Sequence, residues 1–168
     1  VDDLFGLFDR NAARPDLVRE DVAKKMKQSG CIEMRFGIES ANNEILEYLG
    51  KNTTVEKMRK GIQITKKAGI NFSLQCIFGS PMESEKTIQN TMDFIYEMRP
   101  LYVSFNVLTP LPGSMLFEKI KGAIDVAGGM QNFDILHTDY TFGPYSAEEI
   151  ASIIKRAYRS YYLSMSFA

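Results

Sequence analysis

Three stretches of the chain alternate between apolar and polar residues, which is typical of β-strands whose two faces meet different surroundings. They cover about 32–39, 71–78 and 102–108. Helical patterns lie between them, long enough to return the chain to the start of a parallel neighbour. This order predicts βα units with three sequential parallel strands and right-handed helical crossovers.

Apolar residues at helical spacing predict the helices of these units. In the first of them we expect Val22 and Met26 to face inward. A long segment over 122–145 shows no clear period, and we interpret it as a partly ordered loop. The predicted helices are 19–28, 43–49, one from a Thr53–Glu56 capping box to Gly69, one between Glu83 and Pro100, and one from a Ser146–Glu149 capping box.

The polar positions of the strands predict one wet face of the sheet. Parallel strands covered by helices on both faces usually read as continuous apolar runs. Each buried polar group without a partner costs roughly 1–3 kcal/mol, so a polar lumen in a partial barrel fits the pattern. An open sheet with solvent on one side is the alternative. These residues are Glu33, Arg35 and Glu39, Ser73 and Gln75, and Ser104 and Asn106. We interpret Glu33 and Arg35 as an ion pair in the lumen that holds the barrel rather than a substrate contact.

Composition narrows the function classes. The 168 residues are 45% hydrophobic and 24% charged, with a net charge of −1. The sequence has no block of lysine and arginine residues of the kind that binds nucleic acid. No apolar run approaches the ~20 residues of a membrane span, so we expect a cytoplasmic protein without membrane or nucleic-acid partners. Cys31 and Cys76 are expected to be buried thiols, and His137 a surface or packing residue.

We expect a single domain over 1–168, with 1–13 as a segment outside the core and 146–168 as a C-terminal helix. Three motifs follow its strands: FGIES at 36–40, FGSPMES at 78–84 and LTPLPGS at 108–114. Ligand sites of α/β proteins lie at the carboxyl ends of parallel strands. Taken alone, each motif also fits a plain structural role, as a helix cap, a strand-to-helix turn and a rigid connection.

Taken together, these motifs resemble the second half of the radical S-adenosylmethionine (SAM) enzyme core. The resemblance is closest to the branch with B12-binding-domain radical SAM proteins and magnesium-protoporphyrin cyclase-like proteins. It implies an α/β fold, a fragment of a (β/α)6 partial TIM barrel with about three parallel strands and covering helices. Further matching segments are Ala13-Arg14-Pro15-Asp16, Met26 to Cys31, Lys51 and Ala68-Gly69-Ile70.

The chain departs from this family in three places that bear on chemistry. The cluster-binding CxxxCxxC and the glycine-rich motif after the second strand are absent, and Met82 replaces the usual glycine before Glu83. Two cysteines cannot supply the three thiolates of a [4Fe-4S] cluster with an open iron site. We therefore expect no metal site in this chain, and no activity from the chain alone.

For the full-length protein, the resemblance implies reductive cleavage of SAM to a 5′-deoxyadenosyl radical, with SAM and a [4Fe-4S] cluster as cofactors. Cobalamin use and the small-molecule substrate stay open, and no catalytic residue is assigned. Glu39 and Ser40 would contact the ribose or methionyl end of SAM, and Lys51 its carboxylate unless it is a solvated helix-end lysine. The expected SAM-binding and cavity-lining residues are Glu39, Ser40, Lys51, Gln75, Ile77, Phe78, Gly79, Asn106 and Leu108.

The implied partner is the missing N-terminal half of the barrel. Without it, the strand at 32–39 becomes a sheet edge, which we expect to self-associate or to pair with Val1 to Ala12. A non-catalytic α/β module that binds a small molecule or a protein remains the second function class. A metal enzyme is disfavoured because His137 is the only histidine.

Overall fold

The computed structural model describes residues 13–110, 113–120 and 143–165. Strands β1 (Glu33–Glu39), β2 (Asn71–Phe78) and β3 (Tyr102–Val107) form one sheet in the order β1-β2-β3. β1 and β2 are parallel. β3 runs the same way, because Leu101 N–H donates to the Phe72 carbonyl and Leu108 N–H to the Phe78 carbonyl. The predicted strands and their parallel, sequential order are confirmed.

The helices follow the predicted order. Part of the predicted loop, 122–142, and the N-terminal segment 1–12 lie outside the described residues. None of the helices in the described ranges has the length and apolar character needed to cross a membrane. The helices are a 3-10 helix at Pro15–Leu17, α1 (Glu20–Gln28), α2 (Asn43–Tyr48), α3 (Val55–Lys67), α4 (Glu85–Met98), α5 (Met115–Ile120) and α6 (Ala147–Met165).

The helix caps show where a local pattern identifies a boundary and where it does not. Ser146 and Glu149 form the predicted capping box at α6, with bonds of 2.7 and 3.2 Å. The prediction at α3 is wrong by one residue, since Thr54 is the N-cap and accepts from Lys57 N–H. Two adjacent threonines can both cap a helix, and the extended backbone of Thr54 directly before Val55 decides between them.

The predicted inner face of α1 is also partly wrong. Val22 is 40% exposed, whereas the neighbouring Ala23 is fully buried. The short apolar pattern of α1 allowed either residue to face inward, and the packing of the helix selects the smaller one. Cys31 and Cys76 are both buried free thiols, as predicted.

The chain divides into two compact units. The first comprises the described residues up to Cys76 together with Ser84–Phe105, and the second comprises Ile77–Glu83 and the described residues from Asn106 onward. Fully buried residues of the first unit include Phe36, Leu74 and Phe105. In the second unit Phe78 and Ile150 are at most 2% exposed.

The segment before α1 is attached to the first unit by backbone contacts. Ala13 N–H donates to the Arg35 carbonyl at 2.7 Å, and Gly37 N–H donates to the Ala13 carbonyl at 3.2 Å. Ala13 thereby pairs in parallel with the outer edge of β1 at Phe36. Part of this edge is therefore covered by the chain itself.

The two faces of β2 differ as the alternation predicts. Leu74 and Cys76 are fully buried on one face, whereas Gln75 is half-buried on the other. On this polar face Ser73 Oγ donates to Glu33 Oε1 at 2.9 Å. The partner of Glu33 is thus Ser73 and not the predicted Arg35, whose side chain is exposed.

Candidate functional site

The carboxyl end of β1 makes an unusual turn at Glu39. Its φ of 59° lies in the left-handed region, which non-glycine residues rarely adopt. Ser40 N–H donates back to the Ile38 carbonyl at 2.7 Å, which closes a three-residue turn. The register of β1 against β2 shifts between Gly37 and Glu39. Such turns are rare and cost on the order of 1–3 kcal/mol, and strain of this kind clusters at functional sites.

The Glu39 side chain is held by Lys51. Lys51 Nζ lies 2.5 Å from Glu39 Oε1, and the two side chains are 32% and 12% exposed. Lys51 follows α2, where its backbone N–H donates to the Leu46 carbonyl after a left-handed Gly50. Among the described residues, Glu39 Oε2 has no hydrogen-bond donor, so this oxygen can accept one from a ligand.

The Cys76 thiol lies at the same level of the sheet, because Cys76 is the β-partner of Glu39. Complete burial raises the pKa of this thiol well above its usual range, and the negative charge of Glu39 raises it further. The sulfur therefore stays protonated at neutral pH. A thiolate ligand for a metal at this position is disfavoured.

Ser40 and the next two residues are fastened to α4 by a buried polar network. Thr91 Oγ1 accepts from Ala41 N–H at 3.1 Å and lies 3.5 Å from Ser40 Oγ. Asn42 Nδ2 donates to Ser40 Oγ at 3.0 Å and to the Thr87 carbonyl at 2.9 Å. Ser40 is only 2% exposed, so its hydroxyl is used within the protein.

In the second unit, the turn after β2 is formed by Gly79 with a φ of 100°. Gly79 N–H donates to Glu83 Oε2 at 3.3 Å, and Glu83 N–H donates to the Ser80 carbonyl at 2.9 Å. Glu83 is 4% exposed. The buried Glu83 carboxylate thus accepts a hydrogen bond from Gly79 within the same turn. This bond explains why a glutamate stands four residues after the glycine in the motif.

Two glycines, Gly79 in this turn and Gly143 packed against it, leave little or no space for a side chain. A Cβ on Gly79 would lie 3.1 Å from Ile150 Cδ1 and 3.8 Å from Leu108 Cβ. A Cβ on Gly143 would lie 2.3 Å from the Ser80 carbonyl oxygen. Only glycine fits at Gly143 without moving the backbone of the turn.

The predicted site residues therefore fall into separate groups. The first unit brings together Glu39, Ser40 and Lys51. In the second unit Phe78, Gly79 and Leu108 meet, with Leu108 N–H bonded to the Phe78 carbonyl at 2.7 Å. The remaining predicted residues, Gln75, Ile77 and Asn106, are half-buried on their strands.

Asn42, Thr91 and Gly143 are contributors that the sequence patterns did not identify. Thr91 lies on the inner face of α4 among Ile88, Met92 and Ile95, all of them buried. The signal in the sequence that could have identified Thr91 is a polar residue on an otherwise apolar helix face.

The residues present do not fit an iron–sulfur cluster. The sequence holds only two cysteines, and both are buried. Within the described ranges, no group of three or more histidine, cysteine or carboxylate side chains is placed to hold a metal ion. By contrast, Glu39 Oε2 offers a hydrogen-bond acceptor at a strand end, which fits the polar groups of SAM.

Comparison with known proteins extends over most of the chain. A protein from Pyrococcus horikoshii called uncharacterized methyltransferase PH0819 is 30% identical over 153 residues, which are 90% of this chain and 33% of that protein. The anaerobic magnesium-protoporphyrin IX monomethyl ester cyclase of Rubrivivax gelatinosus is 28% identical over 125 residues, 74% of this chain and 22% of that protein. The chain thus spans a third or less of the length of these curated relatives.

Two solved structures show the same fold. The Elp3 protein of Methanocaldococcus infernus matches 89% of this chain and 32% of its own, with a TM-score of 0.67 and 24% identity. TsrM from Kitasatospora setae, a radical SAM methyltransferase solved with cobalamin and a [4Fe-4S] cluster bound, matches 59% of this chain and 20% of its own. Its TM-score is 0.51 at 21% identity. The predicted α/β partial-barrel fold is confirmed.

Residues 8–95, which are more than half of the sequence, match the Radical SAM superfamily. The match includes the Ala13–Asp16 segment, both strands β1 and β2, and the turns at Glu39 and Gly79. The resemblance inferred from the strand-end motifs is therefore confirmed, and the chain belongs to the radical SAM superfamily.

Proposed function

We propose that this chain is the part of a radical SAM catalytic domain that presents strand-end residues to SAM. The observation that carries the proposal is the Glu39 carboxylate, held by Lys51 at the end of β1 in a left-handed turn. Backbone strain of this kind clusters at ligand-binding sites, and the carboxylate is the charged group that this turn presents.

Glu39 Oε2 is the proposed acceptor for a ribose hydroxyl or the ammonium group of SAM. The Lys51 ammonium has three N–H donors, one of which is used by Glu39, so it is able to bind the SAM carboxylate as well. Ser40 supports this site through its buried bonds and not through direct contact.

The turn after β2 is proposed to contribute to the adenine site. Gly79 has no side chain and a φ of 100°, so the proposed contact with adenine is made by backbone atoms of this turn. Ile77 beside it is half-buried and supplies an apolar surface, and Leu108 is 6% exposed in the same unit. Gln75 and Asn106 are proposed as cavity-lining residues on the polar positions of their strands.

For the whole protein we propose SAM and a [4Fe-4S] cluster as cofactors and a small molecule as substrate. SAM would supply the 5′-deoxyadenosyl radical, and the cluster ligands would have to come from residues outside this sequence. The chain alone is proposed to be inactive. TsrM, which shares the fold, also contains cobalamin. Family membership favours this function over a non-catalytic binding module.

Binding of isotopically labelled SAM, measured by equilibrium dialysis, tests the proposal on this chain. We expect weak binding that Glu39→Gln lowers about tenfold, equivalent to about 1.4 kcal/mol. Glu47→Gln is the matched control, because Glu47 is exposed on α2. Absence of SAM binding to the unmodified chain, or equal affinity of both variants, would contradict the proposed site.

Self-association through β1 is a further part of this proposal. Ala13 pairs with the outer edge of β1 at Phe36, and the half-buried Glu33 and Met34 precede that point on the same strand. Sheet edges bind further strands, and charged residues such as Glu33 and Arg35 limit this to small assemblies. Light scattering over a concentration series should show a dimer. A monomer at every concentration would exclude association by this edge.

A further inference from the structure

The buried polar network around Thr91 connects α4 to the strained turn at Glu39. Thr91 is 1% exposed. Its Oγ1 donates to the Thr87 carbonyl at 3.1 Å and accepts from Ala41 N–H, also at 3.1 Å. Ala41 lies two residues after Glu39, so this bond fixes the backbone that leaves the turn.

Asn42 adds a second connection between the same two segments. Its Nδ2 group donates to the Thr87 carbonyl at 2.9 Å and to Ser40 Oγ at 3.0 Å. Its Oδ1 accepts from Asn90 Nδ2 at 2.7 Å. The side-chain amide is therefore bonded on both sides, and residues 40–42 are held by α4 at several points.

A left-handed glutamate persists only where the surrounding structure determines its conformation. The turn itself contributes a single bond, from Ser40 N–H to the Ile38 carbonyl. Further polar restraints on its carboxyl side are the contacts of residues 40–42 with α4 and the bond from Leu46 N–H to the Asn42 carbonyl. The contacts with α4 fix residues 40–42 against the buried face of that helix, so their loss would loosen the backbone that follows Glu39.

We propose that Thr91 and Asn42 are positioning residues, which hold Glu39 in its left-handed turn and so aim its carboxylate at the ligand. This inference rests on the proposed function. It assigns to α4 a role beyond covering the sheet, because a hydroxyl on its buried face sets the direction of a side chain at the end of β1.

Thr65 provides a matched control for Thr91. It is also fully buried in the middle of a helix, α3. Its Oγ1 donates to the Gly61 carbonyl at 3.0 Å, the same bond to the preceding turn that Thr91 makes. Only Thr91 also accepts a hydrogen bond from the β1 turn. Replacement by valine removes the hydroxyl in both places at nearly the same volume.

The first measurement needs no ligand. Amide hydrogen exchange of Ala41, followed by nuclear magnetic resonance, should be about fivefold to tenfold faster in Thr91→Val than in the unmodified chain. Thr65→Val should leave Ala41 exchange unchanged relative to the core amides of β2. Thr91→Ser, which keeps the hydroxyl, should restore the protection. Unchanged Ala41 exchange in Thr91→Val would overturn the proposed hold on the turn.

The second measurement is SAM affinity of the same variants. Thr91→Val should weaken binding about fivefold, because the carboxylate is no longer held in one orientation. Thr65→Val should not weaken it, and Thr91→Ser should bind like the unmodified chain. A loss no larger in Thr91→Val than in Thr65→Val would refute the positioning role. If the unmodified chain bound no SAM, the proposed function would fail, while Ala41 exchange would still decide whether Thr91 holds the turn.

Discussion

Two turns with positive φ end strands in this chain, and they are built in opposite ways. Glu39 is the last residue of β1 in the first unit and has a φ of 59°, and Gly79 follows β2 in the second unit with a φ of 100°. The Glu39 turn is held by polar bonds to Lys51 and, through the next residues, to Thr91. The Gly79 turn is held by close packing and by one buried carboxylate, Glu83.

The difference reflects what each turn presents. A glycine adopts positive φ at little cost, so a turn that presents only backbone uses it. A carboxylate cannot be supplied by glycine, so the turn at Glu39 accepts strain and is stabilised by surrounding hydrogen bonds. The Glu39 turn should therefore be sensitive to the loss of polar groups, and the Gly79 turn to the addition of atoms.

The largest expected effect is at the packed turn. Gly143→Ala places a methyl group 2.3 Å from the Ser80 carbonyl oxygen, which is a backbone atom that cannot rotate away. We expect a loss of about 3 kcal/mol in unfolding free energy, the upper part of the range for overpacking. Urea unfolding followed by circular dichroism measures it. Gly113→Ala is a control without a clash: its Cβ would meet no atom within 4 Å, so its loss should be smaller and come only from the strain of a φ of 86°.

Gly79→Ala should cost less, about 1–2 kcal/mol, because the clash is with the mobile end of Ile150 and the main cost is backbone strain. Gly30→Ala separates the two causes, since Gly30 has a φ of 91° and open space around it. Urea unfolding should show the larger loss for Gly79→Ala. Equal losses would mean that packing against Ile150 contributes nothing to this turn.

Lys51→Met should have the smallest effect, about 1 kcal/mol, because it leaves the partly buried Glu39 carboxylate without its cation. The double variant with Glu39→Gln should recover part of the loss, since the uncharged amide needs no counterion. Lys57→Met is the control on an exposed lysine of α3. If Lys51→Met and Lys57→Met had the same stability, the ion pair would not stabilise the turn.

Much of the fold was predictable because it depends on local patterns. The alternation in Phe72 to Phe78 identified β2 together with its buried face. The Ser146–Glu149 box identified the start of α6, because both of its hydrogen bonds form within four residues. Where two neighbouring residues suit the same role, as for Thr53 and Thr54 or Val22 and Ala23, the local pattern was not sufficient.

The site was predictable only in part, for a related reason. The motif around Glu39 indicated that a carboxylate ends β1. It did not indicate the positive φ of Glu39, or that the Ser40 hydroxyl is bonded to Asn42 within the protein. Thr91 lies 50 residues along the chain from Ala41, from whose N–H it accepts a hydrogen bond. No local pattern pairs two such segments.

The sequence by itself determined the parallel βα order, the strand ends and the family, because periodicity, capping and motif spacing act over short stretches of chain. Tertiary structure decided how the carboxylate at Glu39 is held, and that Gly143 closes the turn at Ser80. Both depend on atoms that are distant in sequence and meet only when the helices pack onto the sheet. Hydrogen-bond directions and contacts of 2–4 Å are set at that stage, and they decide which side chain remains available to a ligand.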